Sequence, residues 1–190
     1  VAVVGAGPDL GKPAGRCLAF LRRYGFGGRI FPINPKYDDI DGLTCYPNFT
    51  SLPDSVELVV LIVPAASVPG HLQAAASAGA KAAVVCSSGF AETGEAGAEL
   101  QRDVVEMAER LGMAVLGPNC LGLVDLHSGL VASFSSALAG DCDLAPGPTA
   151  FVSQSGAMGM AVFTLAQREG KRPMLPEDLL RGFSMPEFVD

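Results

Sequence analysis

No stretch of this chain approaches the ~20 consecutive apolar residues of a membrane span, and the N-terminus opens on an apolar segment, not on a charged leader. A membrane protein is excluded on that reading, and a core strand at residue 1 suggests that a few native residues precede it. Basic charge is also scarce. The net charge is −7, which removes the cationic footprint that nucleic acid or an anionic membrane surface demands. Any anion site must be local and built from a few placed groups. The five cysteines, Cys17, Cys45, Cys86, Cys120 and Cys142, form no C-x-x-C pair and no metal spacing. An odd number is awkward for a disulfide framework, so they read as reduced thiols of a cytoplasmic protein without a metal. Histidine is scarcer still. His71 and His127 are the only two, and neither bears a fixed relation to Cys120, which therefore reads as a buried thiol and not as a nucleophile. Repeats and low-complexity segments are missing.

What is present is apolar and periodic. With 190 residues, 49% of them hydrophobic, the chain can bury one full core, enough for one domain or one and a fraction. Apolar runs of strand length at 1–4, 29–33, 58–63, 82–85, 114–116 and 150–152 alternate with helical patterns at 13–24, 68–78, 95–111 and 158–167. Strands this continuously apolar are covered on both faces, which predicts a doubly wound parallel α/β sheet, a Rossmann-like domain. Gly79 and Gly112 suit the left-handed position just past two of the helices. Two regions break the rhythm. Residues 122–147 predict an antiparallel excursion through 123–126 and 130–134, with His127-Ser128-Gly129 between. From Lys171 onward three prolines in sixteen residues leave room for one short helix at most.

In such a sheet the ligand lies at the carboxyl ends of the strands, so the residues after each strand carry the function. The first turn, Gly5-Ala6-Gly7-Pro8-Asp9-Leu10-Gly11-Lys12, lets backbone N–H groups approach an anion and adds a cation at the start of a helix, which points to a phosphate-bearing ligand. The second, Asn34-Pro35-Lys36, has a lysine where an NAD-binding domain places an acid for the ribose diol. That favours an extra phosphate, as on CoA or NADP, although Asp38 and Asp39 follow closely. Val63-Pro64-Ala65-Ala66 and Ser87-Ser88-Gly89-Phe90 are small enough for an adenine or pantetheine arm to lie against the backbone. Asn119, in Gly117-Pro118-Asn119-Cys120-Leu121-Gly122, either donates to an oxyanion or bonds its own turn. Ser153-Gln154-Ser155-Gly156 opens the last helix and forms a second candidate anion locus, or an ordinary serine cap.

Taken in order, these loops resemble the CoA-binding domain of the NDP-forming acyl-CoA synthetases, the succinyl-CoA synthetase superfamily. The matching text runs from Val3-Val4-Gly5-Ala6 through Gly25-Phe26-Gly27-Gly28-Arg29-Ile30 and Pro32-Ile33-Asn34-Pro35-Lys36 to Ser88-Gly89-Phe90-Ala91-Glu92-Thr93-Gly94-Glu95 and Val152-Ser153-Gln154-Ser155-Gly156, over about residues 1–168. The resemblance implies an ADP-forming acid–thiol ligase that works through an acyl phosphate and a phosphohistidine. It assigns the turn at Gly7 to Lys12, Lys36, Pro64 and Ser87 to Gly89 to coenzyme A, and Asn119 and Ser153 to Gly156 to the transferred phosphate. The family's phosphorylated histidine lies in a following flavodoxin-like subdomain, and an ATP-grasp domain or subunit holds ATP and magnesium. Neither is visible in this sequence. The resemblance therefore divides the chain into a CoA-binding unit at 1–140, a strand and helix opening the next subdomain at 141–170 and a divergent tail at 171–190. A fragment, subunit or divergent homologue, inactive by itself, is the leading expectation. A free-standing CoA-binding regulatory module, an NAD(P)-binding oxidoreductase domain and a fusion to an acetyltransferase remain the alternatives.

Overall fold

A computed structural model describes residues 1–140, 144–147 and 150–169. In chain order the elements are β1 (Ala2–Val4), α1 (Pro13–Arg23), β2 (Phe31–Ile33), β3 (Asp39–Ile40), β4 (Leu43–Thr44), β5 (Leu58–Leu61), α2 (Val68–Ser77), β6 (Ala82–Val85), α3 (Glu95–Leu111), β7 (Ala114–Leu116), β8 (Gly122–Asp125), β9 (Leu130–Ser133) and α4 (Gly156–Arg168). Five strands form one parallel sheet in the order β2-β1-β5-β6-β7. The first crossover leaves β1 toward β2 and the next returns to β5 on the other side of β1. The strand order thus reverses at β1, which makes its carboxyl end the topological switch point of the sheet.

Period-two alternation explains why both faces are covered. Val4, Val59, Leu61, Ala83 and Val85 face one way and pack with Val68, Leu72 and Ala75 of α2 and Val104 and Ala108 of α3. Their neighbours Val3, Val60 and Val84 face the other way, onto Cys17, Leu18 and Leu21 of α1 and onto Leu123 and Ala132 of the β8–β9 pair. A third, smaller cluster joins Phe20, Val131 and Leu138. The helices begin and end where their sequences dictate. Pro13 and Pro69 stand in the first turns of α1 and α2, and Gly112 caps α3 in the left-handed conformation at φ +60°.

The structure corrects the expectation at two places. Residues 150–152 are not a strand, and Phe151 and Val152 are exposed by 38% and 48%. An apolar triplet becomes a strand only by pairing, and this one pairs with no strand among the described residues. The element predicted at 141–170 is therefore represented by α4 alone. Conversely, β3 and β4 form a small antiparallel ribbon around Asp41 and Gly42, both at positive φ. Asp-Gly flanked by Ile40 and Leu43 is the local signal for that turn. The antiparallel pair β8–β9 agrees with the reading of 122–147. Residues 171–190, like Cys142, lie outside the described residues.

Candidate functional site

The loops after β1, β2, β5, β6 and β7 meet at one edge of the sheet, as the doubly wound topology requires. Gly5 follows β1 at φ +82°, and a Cβ there would stand 2.2 Å from Ile62 O. Glycine alone lets the chain turn this close to its neighbour strand. The following loop then lies across the first turn of α1. Asp9 O accepts the Lys12 N–H at 3.0 Å, and Asp9 Oδ1 accepts the Gly11 N–H at 2.8 Å. The Gly11 amide is therefore occupied from within the turn. The amides of Gly7, Asp9 and Leu10 donate to no acceptor among the described residues. Lys12 is the N-terminal cap residue of α1. Its Nζ stands 3.9 Å from Asp9 Oδ2, with the side chains 77% and 57% exposed, so the pair is solvent-screened and the cation stays accessible.

Asn34 does not aim at a ligand. Its Nδ2 donates to Ala6 O at 2.7 Å and its Oδ1 accepts the Lys36 N–H at 3.0 Å. One side-chain amide thus ties the first loop to the second. Pro35 and Lys36 are exposed beyond it, and the Lys36 side chain extends from a backbone held in place by Asn34. Next to it, the Tyr37 ring comes within 3.9 Å of where a Gly7 Cβ would be. That exposed aromatic wall of the crevice went unread in the sequence, since a tyrosine after a lysine carries no motif.

The third and fourth loops are cross-linked by Ser87. Its buried hydroxyl accepts the Val63 N–H at 3.3 Å and donates to Leu61 O at 3.4 Å, and its carbonyl accepts the Asn119 N–H at 2.9 Å. The hydroxyl and carbonyl of Ser87 and the N–H of Val63 are therefore spent holding three loops together. The Gly89 amide is taken as well. Glu92 accepts Gly89 N–H at 2.6 Å and Phe90 N–H at 3.2 Å, and the Gly89 bond above all holds its carboxyl below the usual glutamate value. Pro64 and Ser88 are exposed, with Ala65 packed 3.1 Å from where a Gly89 Cβ would project.

In the fifth loop Asn119 adopts φ +54° and is exposed. Its neighbour Leu121 packs onto Gly156, where a Cβ would meet the leucine at 2.7 Å. That contact sets the start of α4 beside the fifth loop. Both serines there are turned onto the helix itself. Ser155 Oγ accepts the Met158 N–H at 3.4 Å, and Ser153 Oγ donates to Ser155 O at 2.9 Å. Ser155 therefore caps the helix while Ser153 braces the cap carbonyl, and the backbone N–H groups of Gly156 and Ala157 are what the helix start offers. Gln154 is exposed beside them.

Gly15 is the position that sequence reading missed. It lies in the first turn of α1, and a Cβ on it would fall 2.2 Å from Asp9 O and 3.0 Å from Gly7 O. The signal was a glycine inside a helix pattern directly after a glycine-rich turn. The histidines stand elsewhere. His71 lies on α2 with its pKa lowered by burial, and His127 lies exposed at the β8–β9 turn, its N–H on Asp125 Oδ1. Among the described residues no group of His, Cys, Asp and Glu could hold a metal ion, and no helix is long and apolar enough to cross a membrane. A cavity of about 640 Å³ lies between α4 and the β9 side of the domain, lined in part by Arg16, Leu121, Phe134, Met160 and Arg168. The Arg16 Nε is buried there without a hydrogen-bond partner.

Comparison with known proteins gives the family and supports the fold. A family model described as CoA binding domain matches residues 1–125. The chain is 41% identical over 172 residues to acetate–CoA ligase (ADP-forming) I of Archaeoglobus fulgidus, covering 90% of this chain and 24% of that protein. It is 38% identical over 176 residues to acetate–CoA ligase (ADP-forming) I subunit alpha of Pyrococcus furiosus, covering 90% of this chain and 37% of that one. Among solved structures, the dinucleotide forming acetyl-coenzyme A synthetase 1 of Ca. Korarchaeum cryptofilum, in complex with phosphate and ADP, superposes with a TM-score of 0.81 at 40% identity, covering 90% of this chain and 36% of that one. The chain thus spans 24–37% of the length of these relatives.

Proposed function

Because the chain belongs to the CoA binding domain family, we propose that it is the CoA-binding portion of an ADP-forming acyl-CoA synthetase, an acid–thiol ligase that makes acyl-CoA from a carboxylic acid, CoA and ATP. The observation that carries the proposal is the rim of the crevice at the switch point. Three backbone amides without acceptors among the described residues, at Gly7, Asp9 and Leu10, share this rim with two exposed lysines, Lys12 on the same loop and Lys36 on the loop that Asn34 ties to it. That is the donor set a phosphorylated adenosine diphosphate requires, with amides for the diphosphate and a cation for the further phosphate. The end of β2 offers Asn34, already committed to the backbone, in place of an acid for a free ribose diol.

In this reading Tyr37 lends its ring to the adenine side, and Pro64, Ser88 and Gly89 line the path of the pantetheine arm. CoA, when bound, supplies the thiol that accepts the acyl group. The residues of this chain hold its phosphates and orient it. Asn119 and the start of α4, with Ser153, Gln154, Ser155 and Gly156, face the phosphate under transfer. A histidine-bearing subdomain and an ATP-grasp domain or subunit supply the remaining chemistry, the boundary of the CoA-binding unit falling near residue 140. A cytoplasmic location fits the same reading. Isothermal titration with CoA, dephospho-CoA, NAD and NADP tests the assignment. CoA is expected to bind most tightly, with loss of the 3′-phosphate weakening it about tenfold or more. NAD or NADP binding ten times better than CoA would overturn it in favour of an oxidoreductase domain.

A further inference from the structure

The cavity of about 640 Å³ between α4 and the β9 side holds none of the residues assigned above to CoA. Leu121, Phe134 and Met160 line it with hydrocarbon, and Leu165, 59% exposed, extends that surface along α4. Arg16 of α1 and Arg168 of the last turn of α4 add two guanidinium groups, and no carboxylate of the described residues lines it. A chain of net charge −7 thus sets two cations and no anion around one apolar space. Those cations are free. Among the described residues nothing accepts from either guanidinium, and Arg16 Nε is buried without a partner. The hydroxyls serve the backbone instead, since Thr164 Oγ1 donates to Met160 O at 2.7 Å and Ser135 Oγ accepts the Ala137 N–H at 3.4 Å. A buried N–H on a cation with nothing to receive it costs free energy until an oxygen is supplied.

Hydrocarbon walls with an unpaired guanidinium suit a carboxylate that carries an apolar body. Volume sets its size. Ligand cavities commonly span about 300–1,000 Å³, and an acid of two carbons would leave most of this one to water. Leu121 both lines the cavity and packs on Gly156, and Ala157, whose amide the helix start offers, lines it too. The space therefore opens beside the start of α4. We propose that this cavity seats an organic monocarboxylate larger than acetate, its carboxylate on Arg16 and its hydrocarbon against Leu121, Phe134 and Met160. In the reading given above this is the acid to be joined to CoA, so the inference names the class of that acid and rests on that reading only for the acid's role.

The test titrates the full, isotope-labelled chain with octanoate, 3-phenylpropanoate, acetate and 1-octanol, with and without saturating CoA, and follows the backbone amides by NMR. Octanoate and 3-phenylpropanoate should shift amides of α4 and of residues 134–137, with acetate and the uncharged alcohol each binding about tenfold more weakly or worse. The shifts should persist in saturating CoA. Arg16→Gln should weaken octanoate about tenfold. Ala161→Trp, which fills the cavity from an exposed position, should abolish octanoate binding, and both variants should keep their CoA affinity. Ala161→Trp takes no polar group from the fold, so it decides the matter if Arg16→Gln does not fold. Acetate or 1-octanol binding as tightly as octanoate, octanoate retained in Ala161→Trp or undiminished in a folded Arg16→Gln, or octanoate displaced by CoA would each overturn the proposal. Acids that fail to bind a chain that does bind CoA strike this cavity alone, whereas octanoate bound by a chain that does not bind CoA strikes the CoA assignment and leaves the cavity standing.

Discussion

The third residue of α1 and the third residue of α2 are both glycine, and replacing each by alanine separates helix propensity from packing. At Gly70 a Cβ meets nothing within 4 Å. At Gly15 it falls 2.2 Å from Asp9 O, 2.6 Å from Asp9 C and 3.0 Å from Gly7 O, all of them backbone, so no rotamer change relieves the overlap. Alanine is favoured over glycine in a helix by up to about 1 kcal/mol. Gly70→Ala should therefore raise stability by about 0.5–1 kcal/mol. For a chain of this size that is a rise in Tm of roughly 1–4 °C. Gly15→Ala receives the same helical gain but must push the 7–9 loop outward, and overpacking of this kind costs about 1–3 kcal/mol. The net should be a loss of about 0.5–2 kcal/mol, or roughly 1–8 °C. The displaced loop carries the free amides, so CoA affinity in titration calorimetry should fall about tenfold for Gly15→Ala and stay unchanged for Gly70→Ala. Urea denaturation and thermal melting of both proteins give the stability terms. If the two variants shift stability in the same direction and both keep CoA affinity, the seating of the loop on α1 is not what shapes the crevice.

Lys36→Ala should leave stability within about 0.5 kcal/mol, as surface changes do, while weakening CoA about tenfold and dephospho-CoA far less; unchanged CoA affinity would return Lys36 to the role of a solvated charge. The isolated chain, incubated with ATP, CoA and a panel of carboxylic acids, should yield neither acyl-CoA nor acid-labile phosphohistidine, and turnover lost in His71→Ala or His127→Ala would assign a catalytic histidine within these residues. Glu92→Gln tests the carboxylate that occupies the Gly89 amide. Its pKa is lowered in the folded chain, so its stabilisation is present above the unfolded value of 4.5 and is lost as pH falls through the folded one. Equilibrium unfolding should show wild type ahead of the variant near neutral pH, with the gap closing on acidification; a gap that is constant with pH would refute the charge-assisted bond.

The alternation of strands and helices was legible because the core imposes it. Residues 82–85, 95–111 and 114–116 fold as read, since each is an apolar run or amphipathic repeat bounded by glycine or polar residues. Residues 150–152 look the same locally and fail, because pairing is a property of a neighbour and not of the segment. The site divides in the same way. That five loops gather at one edge follows from the strand order. Which of their donors are free does not, because Asp9, Asn34, Ser87 and Glu92 each take up donors or acceptors by contacts that only the folded chain defines. Gly15 and Tyr37 were hidden for the converse reason. Their importance comes from the loop that lies against them, since Gly15 meets the carbonyls of Asp9 and Gly7 and the Tyr37 ring comes up to Gly7 from thirty residues along the chain.

The Asn34 side chain, bonded to Ala6 O on one side and Lys36 N–H on the other, gives the first two loops a common mechanical fate. Neither can swing without breaking the other's anchor. Tying the two loops together in this way favours a rim assembled before any ligand arrives. Affinity is then not diluted by a population of open, incompetent conformers. Encounter need not wait for a loop to order, so differences among ligands should be expressed in how long they stay, not in how fast they arrive.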